Sequence, residues 1–463
     1  MHEPFPATAI SAKNALTASA ETPCAATSRA SVLRKACREH ALPPLPRGTA
    51  GFAFTAALFL AGIAVCFGAR VPLQTAIDGF SFNVLVILVS MDLFTSMLAG
   101  SGVMEAAALR LARLSHGSQT ALLVMIAVMM FLVSACLNNI TAMLVVLPCI
   151  FVLLQGIAPD RRYLGAFFAV LLGMSNTGGA SSAIGDLPAV LIMSTGVVSF
   201  SQYTFAAFPL MALTSALLVG FWCFILRRVP QDRGASSFAI GILGAQYRFV
   251  RVDMRAAVPL FAILAAMIVC WCVVPQNVVP PEIIALTGCL VATVAYRLAG
   301  NRVSQVVDLS SVLTISGFLF LASAVASTGA LEELVAALAV AVPDQKLFLA
   351  LMLVATSLIA GLVGAGPAAA ACLPIVSSLA TTTFAASSTL VMVAYGAAIC
   401  AGSSLFLFSA TAGYVLSGKI DGAALNDSTG ARFTWGVRTY LGYGAVNYAI
   451  QMAVVMAVVF LMF

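Results

Sequence analysis

The stretch Ser175–Pro188 places polar and flexible residues inside an apolar run that otherwise has the composition of a membrane-spanning helix. It reads SNTGGASSAIGDLP, and its glycines lower helix propensity. Hydrocarbon offers no hydrogen bonds, so an unwound backbone at membrane depth is tolerated only where it lines a protein cavity or water. The apolar flanks together are too short for two separate spans. The stretch therefore predicts a broken membrane helix, whose half-helix ends can hold ions.

Composition sets the class of protein. Of the 463 residues, 61% are hydrophobic and 9% are charged, whereas soluble globular proteins carry about 25% charged residues. The apolar runs are continuous and lack the alternation of a transmembrane β-barrel. The chain is therefore expected to be an all-α polytopic membrane protein. The net charge of +6 lies in the tail and loops, so it indicates the orientation of the chain in the membrane and does not indicate nucleic-acid binding.

Four segments are expected along the chain. They are a disordered cytoplasmic tail at 1–50, a first transmembrane repeat at 51–227, a cytoplasmic linker at 228–255 and a second transmembrane repeat at 256–463. The tail and the linker carry an excess of Lys and Arg, which places both in the cytoplasm. The predicted topology has nine crossings and two hairpins in a bacterial cytoplasmic (inner) membrane. The N-terminus is expected in the cytoplasm and the C-terminus outside the cell membrane.

Each half contains a long apolar run that breaks near its middle, followed by a second broken span. The first run breaks at Leu137–Thr141 (LNNIT) and the second at Gly364–Pro367 (GAGP). A shift of 226 positions aligns the two hairpins and their Leu-Pro pairs, and a shift of 223 places Asp186 over Ser409. The first hairpin is expected to open to the cytoplasm and the second outward. This pattern predicts an inverted-repeat transporter with two re-entrant hairpins and two broken transmembrane helices.

The polar residues at these breaks are the candidate binding site. Hydroxyl, amide and freed carbonyl oxygens suit Na⁺, but hydroxyls, amides and helix N-termini also suit an oxyanion, so residue types leave both open. Asp186 is a functional-site candidate because it is ionisable within a span; it either carries protons or stays charged as a cation ligand. The predicted ion- or substrate-binding set is Asn138, Asn139, Thr141, Ser175, Asn176, Thr177, Gly178, Gly179, Ser182, Asp186, Ser403, Ser404 and Ser409. Asn138, Asn139 and Asp186 are the candidate Na⁺ ligands.

Two motifs resemble those of the ion transporter superfamily, which includes NhaD-type sodium/proton antiporters, arsenite efflux permeases, citrate transporters and divalent anion:sodium symporters. They are LNNIT and the following SNTGGASSAIGD, and the similarity covers about Gly51–Phe463. The pattern is most similar to the NhaD type, with GG and IGD in Gly178–Asp186 and CAGSSLFLFSATAG in Cys400–Gly413. Asn138 stands where this family usually has Asp, and Gly364-Ala365 replaces an Asp-Asn pair. The resemblance implies sodium or proton coupling.

The expected function is secondary active transport by alternating access, ion-coupled and sodium/proton antiporter-like. The alternative is a permease for an organic or inorganic anion, citrate/dicarboxylate-like or arsenite-like. The missing hairpin acids favour an anion or a small neutral substrate, whereas Asp186 favours cation exchange. A channel would share the pore without a coupled gradient. An enzyme is not expected, because the sequence has no metal-ligand His pair and no Ser-His-Asp set.

The expected partners follow from the same assignment. They are the lipid bilayer and a small ion or small-molecule substrate, with no nucleic acid, and a homodimer is left open. No cofactor is expected apart from a bound Na⁺.

Overall fold

The computed structural model describes residues 49–116, 118–137, 139–157, 159–229, 252–276, 278–303, 309–330, 333, 342 and 344–462. These residues are almost entirely helical. The first half contains α1 (Thr49–Gly68), α2 (Leu73–Asp78), α3 (Phe82–Gly100), α4 (Val103–Leu114), α5 (Gln119–Cys136), α6 (Asn139–Ile157), α7 (Arg161–Ala180), α8 (Leu187–Ser194) and α9 (Phe200–Leu226). The second half contains α10 (Met254–Val273), α11 (Pro281–Leu298), α12 (Leu309–Ala326), α13 (Gln345–Val363), α14 (Ala365–Thr381), α15 (Ser388–Ser403), α16 (Thr411–Ala423) and α17 (Val437–Met462).

The chain forms two compact units, Met1–Ala53 and Phe54–Phe463. Of the first unit, the structure describes only the start of α1. The second unit contains both predicted repeats. The predicted tail and most of the predicted linker lie outside the described residues, so the division at 228–255 stays a prediction.

Within the described residues, eight helices are long and apolar enough to cross a membrane, judged by length and composition. Large hydrophobic side chains are exposed along them: Leu290, Val294 and Leu298 on α11 have 59%, 58% and 84% of their surface exposed. Such a surface is stable against lipid and would be costly in water. The all-α polytopic fold is therefore confirmed. The predicted count of nine crossings stays a prediction. Two of the eight helices, α5 and α13, are arms of the hairpins, so the number of helices does not equal the number of crossings.

Both predicted hairpins are present. The first breaks between α5 and α6 at Leu137, whose backbone is extended. The second breaks between α13 and α14 at Gly364, which has φ +99°. Only glycine adopts this conformation without strain. The Ala365 amide that follows donates to the Ser409 carbonyl oxygen at 3.3 Å, and this bond ties the second hairpin tip to the second broken helix.

Both broken helices are present too, but the breaks are shorter than the sequence predicted. The helix α7 continues through Ser175–Gly179 and ends at Ala180, so the break covers only 181–186. The helix α15 likewise reaches Ser403, and α16 begins at Thr411. A buried backbone without water keeps its helical hydrogen bonds wherever it can. The glycines inside α7 therefore serve close packing instead of unwinding.

This close packing repeats in the two halves. A methyl group on Gly178 would lie 2.5 Å from the Phe131 carbonyl oxygen of the first hairpin, and one on Gly402 would lie still closer to the Ser357 carbonyl oxygen of the second. Phe131 and Ser357 are related by the shift of 226 that aligns the hairpins. Each hairpin thus presses its backbone against the broken helix that follows it in the sequence.

Candidate functional site

The tip of the first hairpin meets the break between α7 and α8. Asn139, the first residue of α6, lies against Gly179, where a methyl group would be 2.7 Å from both amide atoms of Asn139 and 2.9 Å from the Cβ of Asp186. Asn139 is buried, with 2% of its surface exposed, whereas Asp186 is half-buried. Three predicted site residues therefore share one place, and Asp186 is the least buried of the three.

Ser134, near the end of α5, organises this junction. Its hydroxyl lies 2.6 Å from the Ser175 carbonyl oxygen of α7, and it also contacts the Asn139 side-chain amide. Both serines are fully buried. Sequence reasoning missed Ser134, because a single serine in an apolar helix is usually a helix-helix contact. The signal that could have found it is its position just before the hairpin break.

Backbone carbonyl groups converge on the same junction. A methyl group on Gly185 would lie 2.6 Å from the Gly179 carbonyl oxygen and 2.7 Å from the Ser134 carbonyl oxygen, so only glycine fits there. The Ser182 hydroxyl donates to the Ala135 carbonyl oxygen. Freed carbonyl groups at the ends of α5 and α7 thus surround the approach to Asp186.

Asp186 also caps the second half of its broken helix. Its Oδ1 accepts a hydrogen bond from the Leu187 amide at 2.9 Å, the amide of the first residue of α8. A carboxylate at a helix N-terminus is stabilised by the helix dipole. The cap fixes the backbone of Asp186 at the end of the break.

Asn176 and Ser404 join the two halves beside the breaks. The Asn176 side-chain amide donates to the Ser404 hydroxyl at 2.9 Å, and the Gln451 side-chain amide donates to the same hydroxyl at 3.1 Å. All three residues are buried. This network links α7 of the first repeat to α17 and the second break.

Other predicted residues make local bonds away from this junction. The Thr177 hydroxyl pairs with the Ser215 hydroxyl of α9 at 2.8 Å. Ser403 donates to the Cys400 carbonyl oxygen at 2.8 Å, and Ser409 donates to the Phe406 carbonyl oxygen at 2.6 Å. Asn138 and the side chain of Thr141 lie outside the described residues.

Two buried tyrosines, unrecognised in the sequence, complete the broken helices. Tyr203 of α9 donates to the Ala180 carbonyl oxygen at 3.1 Å, and Tyr440 of α17 donates to the Ser404 carbonyl oxygen at 2.7 Å. Each carbonyl group lies where a broken helix ends and would otherwise be unpaired. In each half, a tyrosine on the next long helix satisfies the freed carbonyl group.

With this architecture in place, comparisons with known proteins give the family. The model of the CitMHS family, described as "Citrate transporter", matches residues 50–402, which is more than half of the chain. The chain belongs to this family. It is also 24% identical over 305 residues to the 46 kDa membrane protein of Mycobacterium leprae, covering 65% of this chain and 69% of that protein. An uncharacterized transporter of Mycobacterium tuberculosis is 24% identical over 307 residues, with the same coverage.

A more distant relative and a solved structure extend the comparison. The human P protein is 31% identical over 170 residues, which cover 37% of this chain and 20% of that protein. The crystal structure of the Alcanivorax borkumensis YdaH transporter, described as having an unusual topology, matches 88% of this chain and 96% of that chain. Its TM-score is 0.53 at 15% sequence identity. The likeness to YdaH concerns the fold alone.

Proposed function

We propose that this membrane transporter is a cation-coupled secondary active transporter, with sodium/proton exchange as its first candidate reaction. Two hairpins and two broken helices in paired repeats support alternating access. The coupling cation would bind where the first hairpin tip meets Gly179 and Asp186. The same proposal places the chain in a bacterial inner membrane with its N-terminus in the cytoplasm, because the tail and linker are rich in Lys and Arg.

The hydrogen-bond partners around the Asn139 amide favour a cation over an anion, because they require its NH₂ group to face Ser134. The Ser134 hydroxyl has one hydrogen, and the Ser175 carbonyl oxygen beside it can only accept. If Ser134 donates there, it can only accept from Asn139, which must then present its NH₂ group. In the opposite orientation Asn139 Nδ2 is buried without a partner, which costs about 1–3 kcal/mol.

The oxygen of Asn139 is then the amide atom turned away from Ser134, on an amide that lies against Gly179 and close to Asp186. Amide oxygen and nitrogen have nearly the same shape, so the hydrogen-bond network decides between them. The donor set that we propose is the Asn139 amide oxygen, the Asp186 carboxylate and the carbonyl oxygens of Ser134 and Gly179, which lie beside Gly185. Hard cations prefer oxygen ligands of these kinds. A proton competing with Na⁺ for the Asp186 carboxylate would couple the two fluxes.

A citrate-like anion is the second candidate substrate. It is supported by the description of the family, a citrate transporter. The two breaks, 181–186 and 404–410, contain no Lys or Arg, so a multiply charged carboxylate would need cations bound beside it to offset its charge. Transport of such an anion would then depend on the cation site at Asp186.

Proton flux in proteoliposomes tests the first candidate. Vesicles with an acidic lumen and a pH-sensitive dye receive a pulse of Na⁺ or Li⁺ at several pH values. We expect the lumen to become alkaline as cations enter and protons leave. Asp186→Asn should abolish the response, because it removes the group that binds both ions. Asp78→Asn serves as the matched control, since this carboxylate is exposed at the end of α2.

The outcomes separate the candidates. A folded wild-type protein without any cation-evoked pH change would rule out exchange. Uptake of radiolabelled citrate, with and without Na⁺, then tests the second candidate, and arsenite is measured in parallel. Saturable citrate uptake that requires Na⁺ and is lost in Asp186→Asn would favour a coupled anion permease. Non-saturable flux would favour a channel.

A further inference from the structure

A cavity of about 340 Å³ lies between α2, α8, α12 and α14. Small-molecule sites in proteins span about 300–1,000 Å³, so a hydrated ion or a small polar solute fits. Leu191 of α8 and Ala370 and Leu373 of α14 form one wall. Thr75 and Ser323 contribute hydroxyl groups to the opposite wall. Of the residues that line it in the described part of the chain, none is charged.

The cavity ends one helical turn from the candidate cation site. Leu187 and Leu191 are four residues apart on α8, and Gly366 and Ala370 are four residues apart on α14, so each pair lies on one helix face. A methyl group on Gly366 would lie 2.6 Å from Leu187 Cδ2. The two helices thus touch at Leu187 and Gly366, about 6 Å along each helix from the cavity wall, and Asp186 is the next residue.

This contact stands between the cavity and Asp186. Leu187 and Asp186 are half-buried, whereas Gly185 and Pro188 on either side are buried. Gly366 offers no side chain, and the Leu187 side chain occupies the space beside it. A small outward movement of either helix would therefore connect the cavity with the carboxylate.

The fold also gives the cavity a side of the membrane. All four elements that line it approach the surface to which the second hairpin is predicted to open, which is the external one. The α14 residues in its wall lie between the hairpin tip and Thr381, and Leu191 lies between the break and the end of α8. The cavity therefore belongs to the outer half of the predicted pathway.

We propose that the cavity is the external antechamber for a small polar or cationic solute, and that Leu187 packed on Gly366 is the gate that closes it from Asp186. This inference rests on the proposed function only in taking Asp186 as the destination of the solute. The antechamber admits solutes by size and hydroxyl contacts, without selecting for charge. Selection then takes place behind the gate, at Asp186 and Asn139.

Cysteine accessibility tests the gate independently of transport. Asp186→Cys is the reporter, and the membrane-impermeant cationic thiol reagent MTSET is added to right-side-out or inverted vesicles, with labelling measured at each site by mass spectrometry. We expect slow labelling from outside, accelerated at least tenfold by Leu187→Ala and less by Leu187→Val. Leu191→Ala is the matched control: it removes the same atoms one turn away, and it should leave the rate within about twofold.

A second reporter tests the antechamber itself. Ala370→Cys should be labelled rapidly from outside whether or not Leu187 is truncated. If Ala370→Cys is not labelled from outside, the cavity is not an external antechamber. If Leu187→Ala and Leu191→Ala change the Asp186→Cys rate equally, Leu187 is not the gate. Failure of cation exchange with these labelling results intact would overturn the proposed function and leave the gate standing.

Discussion

Asn139 is the residue at which the nature of the bound ion can be decided. If its oxygen faces the site, Asn139→Asp retains an oxygen ligand and Asn139→Leu removes it. We expect Asn139→Leu to raise the Na⁺ concentration for half-maximal flux at least tenfold, which corresponds to about 1.4 kcal/mol of lost binding free energy. We expect Asn139→Asp to keep Na⁺ affinity or improve it.

The same pair of variants has an opposite outcome for an anion site. If the NH₂ group faced the substrate, Asn139→Asp would replace a donor by a negative charge and would abolish binding at least as fully as Asn139→Leu. Thermal unfolding of each variant in detergent controls for folding. Loss of Na⁺ affinity in Asn139→Asp, in a protein that melts like the wild type, would therefore contradict the cation site.

At the scale of elements, Asn447 ties three helices together. Its Oδ1 accepts from the Trp222 indole of α9 at 3.0 Å, and its Nδ2 donates to the Ala169 carbonyl oxygen of α7 at 3.0 Å. Asn447 itself is fully buried on α17. Asn447→Leu should lower the free energy of unfolding by about 1–3 kcal/mol, because it leaves the buried indole N–H without a partner. Denaturant titration in detergent measures the loss.

A double-mutant cycle isolates that hydrogen bond. Trp222→Phe removes the donor, so it should cost less in the Asn447→Leu background than in the wild type. Additive losses would show that the indole bond contributes nothing beyond packing, and that the effect of Asn447→Leu comes from the changed shape.

Asp253 connects the start of α10 to Asn301, in the segment that follows α11. Its carboxylate accepts from the Asn301 side-chain amide at 2.6 Å and caps α10 at the Arg255 and Ala256 amides. These donors, the Asn301 amide first, hold the pKa of Asp253 below 3.8. Asp253→Ala should lower the free energy of unfolding by about 1 kcal/mol at neutral pH, as the loss of a helix cap does.

The pH dependence of this contribution has a defined sign. Because the folded pKa lies below the unfolded value of 3.8, the stabilisation is present above 3.8 and is lost as the pH falls through the folded pKa. The difference in melting temperature between wild type and Asp253→Ala should therefore shrink in acid. Asn301→Ala removes the main donor and so brings the folded pKa of Asp253 closer to its ordinary value; the loss should then be smaller and complete at a higher pH. A difference independent of pH would contradict the ionised cap.

For the whole molecule, the architecture was predictable from sequence where the hydrocarbon of the bilayer requires every backbone N–H and C=O group to be hydrogen-bonded within the protein. Polar residues and glycines inside an apolar run predict a break, and both hairpins and both broken helices lie where Leu137–Thr141, Gly364–Pro367 and the two Gly-rich stretches placed them. The extent of the breaks was not predictable. Glycine lowers helix propensity in general, but in α7 it allows close packing against the Phe131 carbonyl group.

The residues that sequence reasoning missed share a physical reason. Ser134, Tyr203 and Tyr440 each donate a hydrogen bond to a carbonyl group far away in the sequence, and a lone polar side chain in a span carries no pattern. The two tyrosines also do not align under the shift that aligns the two breaks. A shift of 224 relates Ala180 to Ser404, but a shift of 237 relates Tyr203 to Tyr440. The shift changes because α16 is longer than α8 and the connection from α16 to α17 is longer than that from α8 to α9.

The inversion of the two repeats makes a prediction about the whole molecule. Arg162 follows the first hairpin and Thr382 follows the second, and both are exposed. In an inverted repeat these positions lie on opposite sides of the membrane, whereas in a parallel repeat they share one side. The basic residues Arg161 and Arg162 assign the first to the cytoplasm. We expect an impermeant maleimide to label Arg162→Cys only in inverted vesicles and Thr382→Cys only in right-side-out vesicles.

The native cysteines set the background, so labelling of the parent chain is measured first in both vesicle preparations. Arg162→Cys leaves Arg161 in place, which preserves a positive charge at that loop. Labelling of both variants from one side would contradict the inverted repeat while leaving each hairpin intact. Exchange of the two sides would preserve the inversion but reverse the orientation, and the antechamber above Leu187 would then face the cytoplasm. The pair of measurements therefore fixes both the symmetry of the fold and the direction from which solute first reaches Asp186.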